Sequence, residues 1–410
     1  MRRTTAVVIG AGHAGLAMSH RLSERSVDHV VLERSDVADA WRTKRWPGLR
    51  LLTPNWMLGL PGPAAADRPE PDGYLTAPEV TDLVAGYARR VAAPVHTHVT
   101  VRAVRRRPLG YEVATDTGAW RAAAVVVATG GSAHPVVPAC SAGVPASVAQ
   151  HTALDYRGPH ALPAGGVLVV GASATGVQLA AEVRQTGRPV TLAVGEHVRL
   201  PRTYRGRDIF WWLHATGVLD ERHDQVDDLA RARRLPSPQL VGSAVPVDLG
   251  ALASSGVRLV GRLARIDAGV ARFSGSLHNV CALADLKMDR FLRRADDWAT
   301  VTGLDGTLPP PQRFPRTTPP DRPLLSLDLT SGEIRTVLWA TGFRPDHSCL
   351  GLPVFDRNGR LRHHGGVVPD APGLYALGLP LLRTRASTYI HGAASDSEAL
   401  ADHLVAGLTR

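Results

Sequence analysis

The chain has 410 residues, enough for two or three domains. Its 44% apolar and 20% charged residues are those of an ordinary globular protein, and three scattered cysteines without a CxxC pair exclude a local redox dithiol or a thiolate zinc site. The net charge of +10 comes almost wholly from arginine, with Lys44 and Lys287 the only lysines, and no basic run carries interleaved aromatics, so nucleic acid is not an expected partner.

The chain opens on Ala6-Val7-Val8-Ile9, a short apolar run that reads as a buried strand. Gly10-Ala11-Gly12-His13-Ala14-Gly15 follows, then a helix predicted over about 14–24 and a strand over 30–32 that ends at Glu33. The three glycines serve different ends. Gly10 makes the tight turn, Gly12 lets backbone approach a pyrophosphate, and Gly15 lets helix pack on strand. The helix N-terminus would face the phosphates with free N–H groups. Glu33, 23 positions after Gly10, is placed to accept hydrogen bonds from a ribose diol, with Arg34 beside it. Arg2-Arg3 ahead of this run mimics a secretion signal, but the fingerprint accounts for the run better. Residues 161–181 carry no charge yet are broken by glycine and proline, so no transmembrane helix is expected.

A strand over 125–127 ends in Ala128-Thr129-Gly130-Gly131. Val167-Leu168-Val169-Val170 then leads into Gly171-Ala172-Ser173-Ala174-Thr175-Gly176, a helix to about Gln185 and a strand over 189–194. This is the first fingerprint again, with Ser173 at the middle glycine. The position 23 after Gly171 is Val194, so the ribose-binding acid is missing. An acid there would repel a 2′-phosphate, and its absence favours NADP over NAD. Arg199 and Arg202 are the expected phosphate contacts, with Glu196 nearby opposing them. The run 205–212 is dense in aromatics and suggests either a substrate cavity or a subdomain core. The proline-rich stretch 308–323 reads as an irregular connection. A strand over 337–339 ends in Ala340-Thr341-Gly342-Phe343, a second copy of the earlier junction, and a last strand ends at Gly378. Ser395-Asp396-Ser397-Glu398 is a capping-box pattern that predicts the start of the last helix.

The paired fingerprints and paired Ala-Thr-Gly junctions resemble those of the two-dinucleotide flavoproteins. Within these the chain is similar to the flavin-containing monooxygenases, in the branch of bacterial potassium-transport-associated flavoproteins and plant auxin-synthesis monooxygenases. Trp41-Arg42 and Trp46-Pro47-Gly48-Leu49-Arg50-Leu51-Leu52-Thr53-Pro54 resemble the flavin-proximal segment of that family. His151, with Tyr156 and Arg157, falls where the family carries a His-centred motif, here with Pro145 and Ser147 at the usual Phe and Gly. Leu51, Leu52 and Thr53 after Arg50 argue against ketone oxygenation, and Leu379 after Gly378, with no CxxC, argues against the disulfide reductases.

The resemblance implies an α/β chain of two Rossmann-like domains, an NADP domain inserted into a discontinuous FAD domain. The expected parts are 1–150 and 335–410 for FAD and 151–334 for NADP(H), with a substrate-side insertion at about 200–330. For FAD it implies Gly10, Gly12, His13, Ala14, Gly15, Glu33, Arg34, Trp41, Arg42, Thr129 and Gly130, with His391 and Gly392 close to the ring. For NADP(H) it implies Gly171, Ser173, Thr175, Gly176, Arg199, Arg202, Thr341 and Gly342. Asn55 is the catalytic candidate, and no metal is expected. The implied reaction is NADPH-dependent oxygenation of an amine nitrogen or a sulfur through a C4a-hydroperoxyflavin; an oxidase or reductase without oxygen insertion, or a nucleotide sensor, would carry the same motifs. The expected partners are a small-molecule substrate and O2, in the cytoplasm and without stable membrane insertion, the oligomeric state left open to a homodimer.

Overall fold

The computed structural model describes residues 1–63, 69–243, 245 and 247–409. In chain order its main elements are β1 (Ala6–Ile9), α1 (His13–Glu24), β2 (His29–Leu32), α2 (Ala77–Arg90), β3 (Val95–His96), β4 (Ala124–Val127), β5 (Ala149–Thr152), β6 (Gly166–Val170), α3 (Ala174–Gln185) and β7 (Val190–Val194). They continue with α4 (Ile209–Ala215), α5 (Leu229–Ala232), β8 (Arg258–Gly261), α6 (Leu277–Val301), β9 (Ile334–Trp339), β10 (Leu374–Ala376) and α7 (Gly392–Leu408).

Two five-stranded parallel sheets organise the chain. The first runs β10-β4-β1-β2-β3 and the second β5-β9-β6-β7-β8. β1 and β6 are buried at every position because both faces of each sheet are covered. One face of the first sheet packs on α1, α2 and α7, with Leu16, Val80 and Leu404 in one core. Its other face, Val7, Ile9 and Val125, meets an antiparallel meander over 101–122 through Val113 and Trp120. The second sheet repeats the plan. Val167 and Val169 face α3 and α6, while Leu168 and Val170 face an antiparallel sheet over 263–328 through Ala271, Phe273 and Leu327.

Strand partners correct the expected boundaries. β9 lies between β5 and β6, so residues 335–339 belong to the second unit and the chain returns to the first only after Gly342. β5 also belongs to the second sheet, so the first crossing precedes residue 149. An apolar run reads as a buried strand in either sheet, and only pairing assigns it. The last helix likewise begins at Gly392, with His391 as its cap, three residues before the predicted capping box. Ser395 instead sits in the first turn and its hydroxyl donates to the Gly392 carbonyl at 3.2 Å. Gly392 sets this start, since a Cβ there would lie 2.0 Å from the Ala386 carbonyl oxygen. The proline-rich stretch 308–323 follows a 3-10 turn at Asp305–Thr307 and contains neither helix nor strand, as its composition predicts.

Among the described residues, no helix is long and apolar enough to cross a membrane, and no cluster of His, Cys, Asp and Glu could hold a metal ion.

Candidate functional site

The first fingerprint forms the turn between β1 and α1. Gly10 has φ +107°, and a Cβ there would lie 2.6 Å from the Ala128 carbonyl oxygen, so Thr129 and Gly130 are held directly beside it. A Cβ on Gly15 would meet the Gly10 carbonyl oxygen at 1.9 Å, which only glycine avoids. Gly12 is the reverse case: a Cβ there would meet nothing within 4 Å, so its backbone borders open space. No side chain caps α1, which leaves its first-turn N–H groups for a ligand. Glu33, at the end of β2, accepts the Ala11 N–H at 2.8 Å and the Ser35 N–H at 3.1 Å. Its carboxylate is thereby fixed at the edge of this open space. A pyrophosphate over the helix end and a ribose diol beside Glu33 fit these residues. Ala14 is packed against Gly378 at the end of the last strand, which closes the other side.

The second fingerprint repeats the geometry between β6 and α3. A Cβ on Gly171 (φ +107°) would lie 2.4 Å from the Ala340 carbonyl oxygen, and one on Gly176 would lie 1.8 Å from the Gly171 carbonyl oxygen. Ser173 occupies the cap position without capping, so the α3 N-terminus is also free, with Thr175 in its first turn. Thr341 and Gly342 follow Ala340 as Thr129 and Gly130 follow Ala128. The Thr129 hydroxyl donates to the Asp346 carbonyl at 3.2 Å, and that of Thr341 donates to the Val136 carbonyl. The two junction threonines thus tie both crossings to the strand ends. Gln239, buried in the insertion, donates from Nε2 to the Ala172 carbonyl at 2.6 Å and braces this loop.

Residues of segment 46–57 and of the chain entering α7 pack against the second unit and its insertion. Trp46 leaves the first unit and is buried in the core of the second, among Tyr156, Val177 and Leu179. Met57, two residues beyond Asn55, packs in one cluster with Ala386, Tyr389, Leu200 and Phe210. Asn55 is buried in a 3-10 turn (Asn55–Met57); its Nδ2 donates to the Glu70 carbonyl at 2.8 Å, and its Oδ1 has no partner. His391 stacks on Tyr389 with ring centroids 6.1 Å apart and an interplanar angle of 12°, and its Nδ1 is buried without a partner. Burial lowers the His391 pKa to about 4 and that of His13, at the start of α1, to about 4, so both imidazoles are neutral at physiological pH. Asp396, one turn into α7, is pushed up to about 6 by burial, with Ser387 and Arg383 acting in the opposite sense.

Trp41 is half-buried on the first core under the guanidinium of Arg45, 5.1 Å from its ring. Arg34 and Arg42 are both exposed, and Arg42 pairs with Asp36 at 3.1 Å. His151 lies on β5 and bonds Asp155 at 3.2 Å.

Arg199 and Arg202, the expected phosphate contacts, are both engaged within the chain. Arg199 is buried and bonds Asp285 at 2.6 Å, Asp248 at 2.9 Å and the Pro315 carbonyl at 2.8 Å. Arg202 is buried against Tyr74 and Phe210, donating to both Asp208 oxygens at 2.6 and 2.5 Å and to the Leu52 carbonyl at 2.8 Å. Arg199 thus ties together three segments of the insertion, and Arg202 ties the insertion to residue 52. The aromatic run resolves in the same sense. Phe210 and Trp212 are fully buried, and the Trp212 indole donates to the Tyr204 carbonyl at 2.7 Å. Beside this core is a cavity of about 90 Å³, lined by Leu200, Leu240, Met288 and Phe314 with Arg202 and Gln239. The Arg202 Nε and Gln239 Oε1 atoms are buried there without partners.

Sequence reasoning missed the anchoring role of Trp46, the brace from Gln239, and the contact of the insertion with the chain entering α7. There His223 N–H donates to the Arg383 carbonyl, and Ala386 N–H to that of Leu219, at 2.9 and 3.0 Å. No spacing in the sequence signals these contacts, because even the nearest pair, Gln239 and Ala172, is 67 positions apart.

Known proteins share this plan. Residues 7–207 match the family described as pyridine nucleotide-disulphide oxidoreductase. The chain is 28% identical to an uncharacterized CzcO-like oxidoreductase of Geobacillus kaustophilus over 97% of each chain. It is 30% identical to the indole-3-pyruvate monooxygenase YUCCA6 of Arabidopsis thaliana, over 50% of this chain and 52% of that one. Its fold superposes on the flavin-containing monooxygenase from Stenotrophomonas maltophilia with a TM-score of 0.68 and 20% identity, over 99% of each chain.

Proposed function

We infer that this chain, an FAD- and NADP(H)-dependent oxidoreductase of the flavoprotein monooxygenase kind, uses NADPH and O2 to oxygenate a small molecule at an amine nitrogen or a sulfur. The observation that carries this reading is the doubled fingerprint: two helix N-termini that no side chain caps, each beside an Ala-Thr-Gly junction. Gly10, Gly12, Gly15, Glu33, Thr129 and Gly130 would hold FAD. Gly171, Ser173, Thr175, Gly176, Thr341 and Gly342 would hold NADP(H). When bound, the nicotinamide supplies hydride and the flavin supplies redox and oxygen-activating chemistry. The chain has no CxxC dithiol to take up the electrons, which favours O2 as the acceptor over a disulfide.

The side chains at the centre position and protect rather than react. The Asn55 Oδ1, fixed by the Glu70 bond on its other end, is a rigid acceptor for one hydrogen bond. His391 and His13 stay neutral and add no positive charge that would draw water. The cluster of Met57, Phe210, Tyr389 and Ala386 excludes solvent from the approach. The cavity beside Arg202 and Gln239 would take the apolar part of the substrate, its two unpartnered polar atoms setting orientation. Three free cysteines suit a reducing, cytoplasmic setting.

The deciding experiment is turnover of the purified yellow protein with NADPH and isotopically labelled O2 against a panel of amines and sulfides. The expected result is one labelled oxygen atom in product per NADPH consumed. Peroxide as the only oxygen product across the whole panel would make the protein an oxidase. A protein that retains no flavin after reconstitution would overturn the reading altogether.

A further inference from the structure

Arg199 and Arg202 being occupied, the coenzyme's distinguishing phosphate needs other partners. In the first unit Ile9 pairs with Leu32 and Glu33 follows; in the second, Val170 pairs with Ala193, which puts Val194 in the place of Glu33. Val194 is buried and offers no acid to a ribose diol. The chain then runs through Gly195, Glu196 and His197 into a groove of about 270 Å³ closed by α5 and α6 of the insertion. Two cations stand over it. Lys287 Nζ on α6 lies 3.4 Å from one Glu196 carboxylate oxygen, and the Arg231 guanidinium on α5 lies 3.5 Å from that same oxygen. Both side chains are part-exposed, as is Glu196. His197 is almost wholly buried on the wall; its Nδ1 bonds the Gly195 carbonyl at 3.0 Å and its Nε2 has no partner. The opposite wall is formed by Val280, Leu283 and Ala284 of α6.

We propose that Lys287 and Arg231 select the coenzyme by binding its 2′-phosphate in this groove, where Glu196 is the resident counter-ion that the phosphate replaces. In this fold the adenosine ribose lies at the end of the second strand of the dinucleotide unit, here β7. Two cations converging on a single carboxylate oxygen form a site for one compact anion, and a phosphate offers more charge and more acceptors than a carboxylate. Adenine then lies on Val280 and Leu283. Glu196 turns outward to solvent, which its exposure permits. The selector therefore comes from the insertion, not from the residues next to the fingerprint strand. This rests on the reading that the second unit binds NADP(H).

The test is a binding titration of the flavin-loaded protein with 2′,5′-ADP and with 5′-AMP, which differ by that phosphate and take no part in turnover. The unmodified protein is expected to bind 2′,5′-ADP at least tenfold more tightly. In Lys287→Ala with Arg231→Ala the preference should fall at least tenfold while 5′-AMP affinity stays within twofold. Glu196→Gln should strengthen 2′,5′-ADP a few-fold. All three positions are surface positions, and an unchanged melting temperature confirms intact folding. Equal weakening of both ligands, or no change in the double variant, would overturn the proposal and leave NADP(H) binding standing. If neither ligand nor NADP+ binds the unmodified protein, the reading of the second unit fails and the proposal with it.

Discussion

Breaking the Arg199 network separates a structural clamp from a coenzyme contact. Asp285→Ala removes a carboxylate that is buried on α6 and accepts Arg199 at 2.6 Å and the Thr317 N–H at 2.8 Å. The change leaves a buried guanidinium with Asp248 alone as counter-charge, and an orphaned Thr317 N–H. Losing one partner of a buried ion pair costs about 3–5 kcal/mol. Arg199→Met should cost a comparable amount, because Asp285 then stays buried and charged. For a unit of this size each kcal/mol moves the midpoint by about 2–4 °C, so the second unit should melt roughly 6–20 °C lower. Asp248 caps the helix Leu249–Ser254 through the Ala251 N–H, at 2.9 Å, so that helix and the 315–317 segment should loosen together. The assay pairs thermal melts, read by tryptophan and by flavin fluorescence, with NADP+ titration well below the transition. The expected outcome is a large fall in the melting temperature of both variants with coenzyme affinity retained in the cold. A melting temperature within about 2 °C of the parent, together with a tenfold loss of NADP+ affinity in Arg199→Met, would refute the reasoning and return Arg199 to the coenzyme.

The fingerprints should fail independently. Gly15→Ala places a Cβ 1.9 Å from the Gly10 carbonyl oxygen and is expected to give a colourless protein, whereas Gly176→Ala, at 1.8 Å from that of Gly171, should stay yellow but lose reduction by NADPH; absorbance and anaerobic reduction check both. Asp396 supplies a pH signature. Its pKa is raised from 3.8 to about 6, so its favourable contribution is full below pH 3.8 and is lost as the pH rises through about 6. Asp396→Asn should therefore stabilise the protein at pH 8 by up to ~3 kcal/mol but at pH 4.5 by only about 1 kcal/mol, which melts at the two pH values measure. Asn55→Ala removes the fixed acceptor beside Glu70 and should raise peroxide release per NADPH several-fold with little change in the rate of flavin reduction; oxygen-electrode traces with and without catalase report it.

Much of this protein is dictated locally. A glycine that must avoid a carbonyl oxygen, an apolar run covered on both faces and an uncapped helix start are each requirements of a few consecutive residues. For that reason both fingerprints, both Ala-Thr-Gly junctions, and the α/β plan of two dinucleotide units were legible in the sequence, with helix ends at Glu24 and Gln185. Residues that act across the chain were not. Arg199 beside a fingerprint strand looks like a phosphate ligand until α6, 86 positions later, brings Asp285 against it. β9 reads as a strand of the closing unit until its backbone pairs with β6. Lys287 stands in sequence as one of two lysines, on an amphipathic helix; its place opposite Glu196 follows only from how α6 packs on the second sheet. Short-range sterics and hydrogen bonding are encoded within a motif, but the partner of a buried charge is set by which distant segments the core brings together, and that is decided by tertiary packing.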